Sequence, residues 1–105
     1  MWVRAGFWTG KPRPGSEAAL RAMVSDAVLP GIRAFSMVRR ANLLWPKEFQ
    51  DRPADLFCQI VIEYDDEAAM REMQAHQDFA GLKATVAKAI DLLDGTISHI
   101  NYQSG

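Results

Sequence analysis

The stretch Leu56-Phe57-Cys58-Gln59-Ile60-Val61-Ile62-Glu63-Tyr64-Asp65-Asp66-Glu67 decides the fold. Successive side chains of a strand point to opposite faces. Leu56, Cys58, Ile60, Ile62 and Tyr64 therefore form one apolar face, suited to packing against helices. Phe57, Gln59, Val61 and Glu63 form the other, which mixes apolar and polar residues and so faces something neither dry nor fully wet. Asp65 or Asp66 stands where a helix needs its N-cap.

Outward from this strand the chain alternates between the two periodicities. On the C-terminal side, Ala69, Met73, His76 and Ala80 recur at helical spacing. Phe79, Leu82, Val86, Ile90 and Leu93 continue the pattern after a bend near His76-Gln77-Asp78. Asp94-Gly95 is expected to end that helix, and Thr96 to Tyr102 reads as a last strand. On the N-terminal side, Trp2 to Thr9 is rich in aromatic and β-branched residues and reads as a strand. A loop to Gly15 leads to Ser16, a good N-cap, with Glu17 complementing the helix dipole. Leu20, Met23, Val24, Ala27 and Val28 then form an apolar stripe, and Leu29-Pro30-Gly31 is expected to stop the helix. From Ile32 to Trp45 the pattern turns β-like, with Phe35, Met37, Arg39, Ala41, Leu43 and Trp45 on one face.

The order is β-α-β-β-α-β over residues 1–105, one domain of the α+β class. It is the ferredoxin-like plan of a four-stranded antiparallel sheet with helices on one side. Trp2, Arg4, Trp8, Phe57, Gln59, Val61 and Glu63 are then expected on the open side. An apolar face of that size calls for a cover, and a second copy stacked sheet to sheet supplies one, so a homodimer is expected.

Composition bounds the partners. The 105 residues are 49% apolar and 24% charged, with 12 Lys plus Arg against 13 Asp plus Glu. Disorder is excluded by the apolar content. Near-zero net charge removes the electrostatic basis for nucleic-acid binding. No apolar run exceeds three residues, so neither a transmembrane helix nor a signal-peptide core is expected, and no membrane partner. The single cysteine, Cys58, forms no internal disulfide and favours a cytoplasmic setting.

In layout the chain resembles the dimeric α/β barrel superfamily, and within it the EthD-like proteins. The segments that carry the resemblance are Leu29 to Arg40, Phe57 to Met70 and Phe79 to Asn101. The resemblance implies a homodimer whose two sheets close a barrel, with a small apolar or aromatic molecule bound between helices and sheet. Sibling families include cofactor-free monooxygenases, isomerases and decarboxylase-like enzymes, while others bind haem. Many relatives carry a His two residues before the proline that closes the first helix; here that position is Val28.

His76 is the candidate acid/base, because it shares a helix face with Ala69, Met73 and Ala80 and an imidazole titrates near neutrality. Tyr64, Trp45, Tyr102 and Met73 are the candidate pocket residues. His99 is expected to join Gln59, Glu63 and Arg4 on the barrel side, either as a site or as structural pairs. No metal-ligand spacing, nucleotide loop or nucleophile elbow is present. No cofactor is expected, and a haem on His76 enters only by superfamily analogy. The competing reading is a non-catalytic dimerising module, a ligand carrier or a stress-associated accessory protein.

Overall fold

β1 (Trp2–Pro12) runs through the middle of the sheet, antiparallel to β3 (Leu56–Tyr64) on one side and to β4 (Leu93–Gln103) on the other. β2 (Arg40–Leu44) pairs with the outer edge of β3, giving the order β2-β3-β1-β4. The computed structural model describes all residues, Met1 to Gly105. Between β1 and β2 lie α1 (Glu17–Met23), a π-helical turn (Val24–Val28) and α2 (Leu29–Arg33), and α3 (Glu67–Ala75) and α4 (Phe79–Ile90) connect β3 to β4. The result is the ferredoxin-like β-α-β-β-α-β arrangement with a four-stranded antiparallel sheet. The break at His76-Gln77-Asp78 falls where the sequence places it, and Asp66 caps α3 through its Oδ1, which accepts the Ala69 N–H at 2.9 Å.

The core lies on the helix side of the sheet. Leu20, Val24 and Val28 project from the first helical stretch onto Cys58, Ile60, Ile62 and Tyr64 of β3, and all seven are buried.

Several local expectations are corrected. The first helix does not stop at Pro30-Gly31 but continues to Arg33. A proline inside an α-helix has no N–H to donate and its ring crowds the carbonyl four residues earlier. Here the turn before it widens, with the Leu29 N–H bonded to the Val24 carbonyl five residues back, and the helix passes through. Gly31 fits because a Cβ there would stand 3.2 Å from Leu82 Cδ1 of α4. Ala27 is exposed, since the wide turn rotates it off the apolar stripe. Ser16 makes no side-chain cap. Residues 34–38 form turns rather than strand, closed by Phe35 N–H to Ile32 O and Val38 N–H to Phe35 O, so β2 is only five residues long. Asp94-Gly95 sits inside β4 opposite Lys11 and Gly10 rather than at a helix end. Any Cβ on Gly95 would collide with the Thr9 carbonyl, so the close approach of the two strands requires glycine.

The faces of β1 are also reversed from expectation. Trp2, Arg4 and Trp8 pair opposite Tyr64, Ile62 and Cys58 and so lie on the helix side. A register shift at Trp8/Thr9 leaves Phe57 unpaired. This bulge re-aims Phe57 to the helix side, where Arg21 of α1 lies 5.4 Å above its ring and Trp45 meets it edge-on. The open face instead carries Val3, Ala5 and Phe7 with Val61, flanked by Leu44, Ile100 and Tyr102. The last three are 48%, 46% and 46% exposed, which makes this face the main apolar surface of the chain.

Candidate functional site

Between the sheet and the helices lies a cavity of about 600 Å³. Its floor is Arg4, Gly6 and Trp8 of β1, Ile60, Ile62 and Tyr64 of β3, and Ile97 and His99 of β4. Its walls are Val28, Ile32, Met73 and Gln74, and the inner face of α4 from Phe79 to Ile90. The cavity exists because α4 stands off the sheet: of its twelve residues only Ala89 is buried, while Phe79, Leu82, Val86 and Ile90 are half-buried around the void. Gly6 completes the space. With no side chain it leaves the floor low, and the His99 ring lies across it, its Cδ2 and Nε2 at 3.4 Å from where a Cβ would be.

The lining is mostly apolar, thirteen of eighteen residues, and its polar groups are Arg4 of β1, His99 of β4, the Tyr64 hydroxyl of β3, Gln74 of α3 and Lys83 of α4. The half-buried Arg4 guanidinium donates from Nη1 to Asn101 Oδ1 at 3.0 Å. Burial lowers its pKa, partly offset by Tyr64. Burial also lowers the His99 pKa, and the nearby Arg4 charge lowers it further. The imidazole is therefore neutral at pH 7 and still open to solvent. The Tyr64 hydroxyl donates to Met73 Sδ at 3.2 Å, and burial raises its pKa against the pull of Arg4. No Asp or Glu lines the cavity; its charged residues are Arg4 and Lys83. A neutral imidazole beside a fixed cation can accept a proton while the cation holds the anion left behind.

Of the residues singled out in the sequence, Tyr64 and Met73 meet in this cavity. His76 stands outside it, as the C-cap of α3. Its Nδ1 accepts the Asp78 N–H at 3.1 Å and its ring meets Phe35 edge-on. The groove beside it is lined by ten residues, four of them hydrophobic, and lacks the apolar slot a porphyrin needs, so haem does not fit at His76. Trp45 packs on Phe57 with Arg21 4.6 Å above its ring, away from the cavity. Tyr102 lies on the open face of the sheet, paired opposite Val3. His99 shares a face with Arg4, but on the helix side rather than the expected barrel side, and without Gln59 or Glu63, which the pleat turns to the opposite face. The pairing of His99 with Arg4 was expected, but not the face it lies on nor the part Gly6 plays in it. The signal is the two-residue spacing Trp2, Arg4, Gly6, Trp8, in which one small and one charged residue interrupt an aromatic face. No group of three or more His, Cys, Asp or Glu side chains is placed to hold a metal ion.

No family model matches the sequence, and no curated protein matches it. Among solved structures, an ethyl tert-butyl ether D (EthD) family protein from Bacillus halodurans superposes with a TM-score of 0.76 at 11% identity, covering 100% of this chain and 99% of that one. The chain shares its fold. A cofactor-independent oxygenase from Streptomyces nogalater superposes with a TM-score of 0.68 at 16% identity, over 98% and 91% of the two chains. A dimeric protein of ferredoxin-like fold from Bacteroides fragilis gives 0.63 at 12% identity, over 98% and 96%. At these identities the likeness is one of architecture.

Proposed function

We propose that the protein is a homodimer that takes a small apolar or aromatic molecule into the cavity between sheet and helices. The cavity itself carries this reading. Its volume falls within the roughly 300–1,000 Å³ of small-molecule sites, and its apolar lining with a few convergent polar groups is the pattern such sites share. A soluble protein does not leave Phe79, Leu82, Val86 and Ile90 half-wet without cost; a ligand body of similar polarity recovers that burial. The second copy covers Leu44, Val61, Ile100 and Tyr102, as the dimeric structural neighbour suggests.

The neutral imidazole of His99 next to Arg4 favours a proton-transfer step of the cofactor-free monooxygenase or isomerase kind over a passive carrier. His99 accepts a proton from the bound molecule, and Arg4 stabilises the resulting anion. The experiment is calorimetric titration with 2-acetylnaphthalene, a neutral aromatic probe, of the wild type and of Val86→Trp, whose indole projects into the cavity from α4 and obstructs it. Saturable binding in the wild type and its loss in the variant are expected. Equal binding in both would remove the cavity as the site.

A further inference from the structure

Arginine partners single out one residue. Arg21, Arg39, Arg40, Arg52 and Arg71 each pair with a carboxylate, those of Glu17, Asp65, Glu63, Asp55 and Glu67. Arg13 and Arg33 donate to the backbone carbonyls of Asp91 and Ala41. Arg4 alone has neither. Its one partner is the neutral amide of Asn101, and it is the arginine set into the cavity floor. A charge drawn partly out of water, as the half-buried Arg4 is, gains most from a counter-ion that offsets its lost solvation. Here the counter-ion is not supplied by the chain.

We propose that the cavity selects a small amphipathic carboxylate, its carboxyl group on the Arg4 guanidinium and its apolar body against α4. The inference rests on the cavity being a ligand site and adds the charge of the ligand. Three observations carry it. Arg4 lacks an anion. The cavity contains no Asp or Glu to compete for it, and Lys83 of α4 adds a second positive charge. Asn101 fixes the guanidinium through one N–H, which leaves its other donors free for the bidentate geometry that carboxylates match. A phosphate dianion would call for more donors than one guanidinium fork and one ammonium provide. The polar groups that line the cavity with His99 are Arg4 from β1, Tyr64 from β3, Gln74 from α3 and Lys83 from α4, with Arg71 of α3 also repelling Arg4. Every charge among them is positive. A bound anion therefore eases protonation of His99, and affinity for it rises as pH falls toward the His99 titration.

The test compares 2-naphthoate with 2-acetylnaphthalene, its neutral near-isostere, by calorimetry. The wild type is expected to bind 2-naphthoate at least about tenfold more tightly, the scale of a charge-assisted pair. In Arg4→Met this preference is expected to vanish while 2-acetylnaphthalene binding persists. The free variant should melt no lower than the wild type, because a half-buried charge without a counter-ion has been removed. A purely structural Arg4 would give the opposite: a lower melting temperature and unchanged probe preference. Equal binding of both probes to the wild type overturns the carboxylate proposal and leaves the cavity reading intact. Failure of both probes to bind overturns both. If Arg4→Met does not fold, Arg4→Gln and the wild-type ratio of the two probes decide.

Discussion

Replacing Gly31 by alanine tests whether the wall of the cavity is rigid or yielding. Gly31 lies within α2, where alanine is favoured over glycine by about 1 kcal/mol through the entropy of the unfolded chain and helix propensity. Against this stands one contact. The new Cβ would lie 3.2 Å from Leu82 Cδ1, a few tenths of an ångström inside comfortable contact. Leu82 is half-buried and has the cavity beside it, so its side chain can move into that space. Shifting it costs about 0.5 kcal/mol, the lower end for a side chain pushed off its rotamer. The balance is a gain of about 0.5 kcal/mol, or roughly 2–4 °C in melting temperature for a domain of this size. Thermal and urea melts followed by circular dichroism measure it. The same shift narrows the cavity, so 2-acetylnaphthalene should bind Gly31→Ala more weakly than wild type. A loss of stability above about 1 kcal/mol would refute the reasoning, because it would mean that Leu82 is locked and α2 and α4 are already in rigid contact.

Other outcomes follow from burial and exposure. Val61→Asp, placed centrally on the open face, should convert a dimer to a monomer by light scattering; a wild type that is already monomeric at micromolar concentration would end the dimer reading. Cys58 is fully buried and its thiol is pushed up to about 12 by desolvation. It should resist thiol reagents near neutral pH until the protein unfolds, and rapid native labelling would contradict this burial. Since the folded thiol holds its proton more tightly than the unfolded one, its contribution to stability is complete below pH 9 and is lost as pH rises toward 12, by about 1.4 kcal/mol per pH unit. In urea melts the advantage of wild type over Cys58→Ala should shrink across that range, and parallel curves would refute it. His99 runs in the opposite sense: its lowered pKa contributes stability above the usual His range that is lost as pH falls through the folded value. His99→Gln should flatten that acid limb, and an unchanged limb would place the titrating group elsewhere.

The sequence disclosed the fold where the two faces of an element differ in chemistry. Cys58 to Tyr64 was legible because one face is dry and the other mixed, whereas the bulge at Leu56-Phe57 left no such mark. β1 was not, because Trp2 and Trp8 on one side and Val3, Ala5 and Phe7 on the other are both apolar, so alternation gives a period without a direction. Arg4 reads as the polar residue that should face out, and only the cavity beneath α4 makes an inward arginine tolerable. Pro30-Gly31 reads as a stop because an α-helix cannot carry it, whereas a π turn can. The site was the least legible part. Tyr64 and Met73 were found because they are chemically conspicuous, but the cavity is made by what is missing: the side chain of Gly6 and close packing of α4 along its length, where only Ala89 is buried.

That places an unusual burden on the register of β1. Its inward residues supply the floor of the cavity and the unpaired Arg4, and its outward residues supply the centre of the open face. A slip of one residue would exchange these roles, putting Arg4 among Val61 and Ile100 and Phe7 into the cavity. Two features hold the register. The bulge at Trp8/Thr9 gives β3 one extra residue and spends it on Phe57, anchored between Trp45 and Arg21. Beyond it Gly10 and Gly95 face each other so closely that no other residue pair fits, which pins β4 to β1 at one position. His99 is then forced opposite Gly6 and Asn101 opposite Arg4. Gly95→Ala, four residues from His99 and outside the cavity, should therefore disturb carboxylate binding as well as stability. A destabilised Gly95→Ala that still binds 2-naphthoate with wild-type affinity, measured below its melting temperature, would show that the site does not depend on this strand pairing.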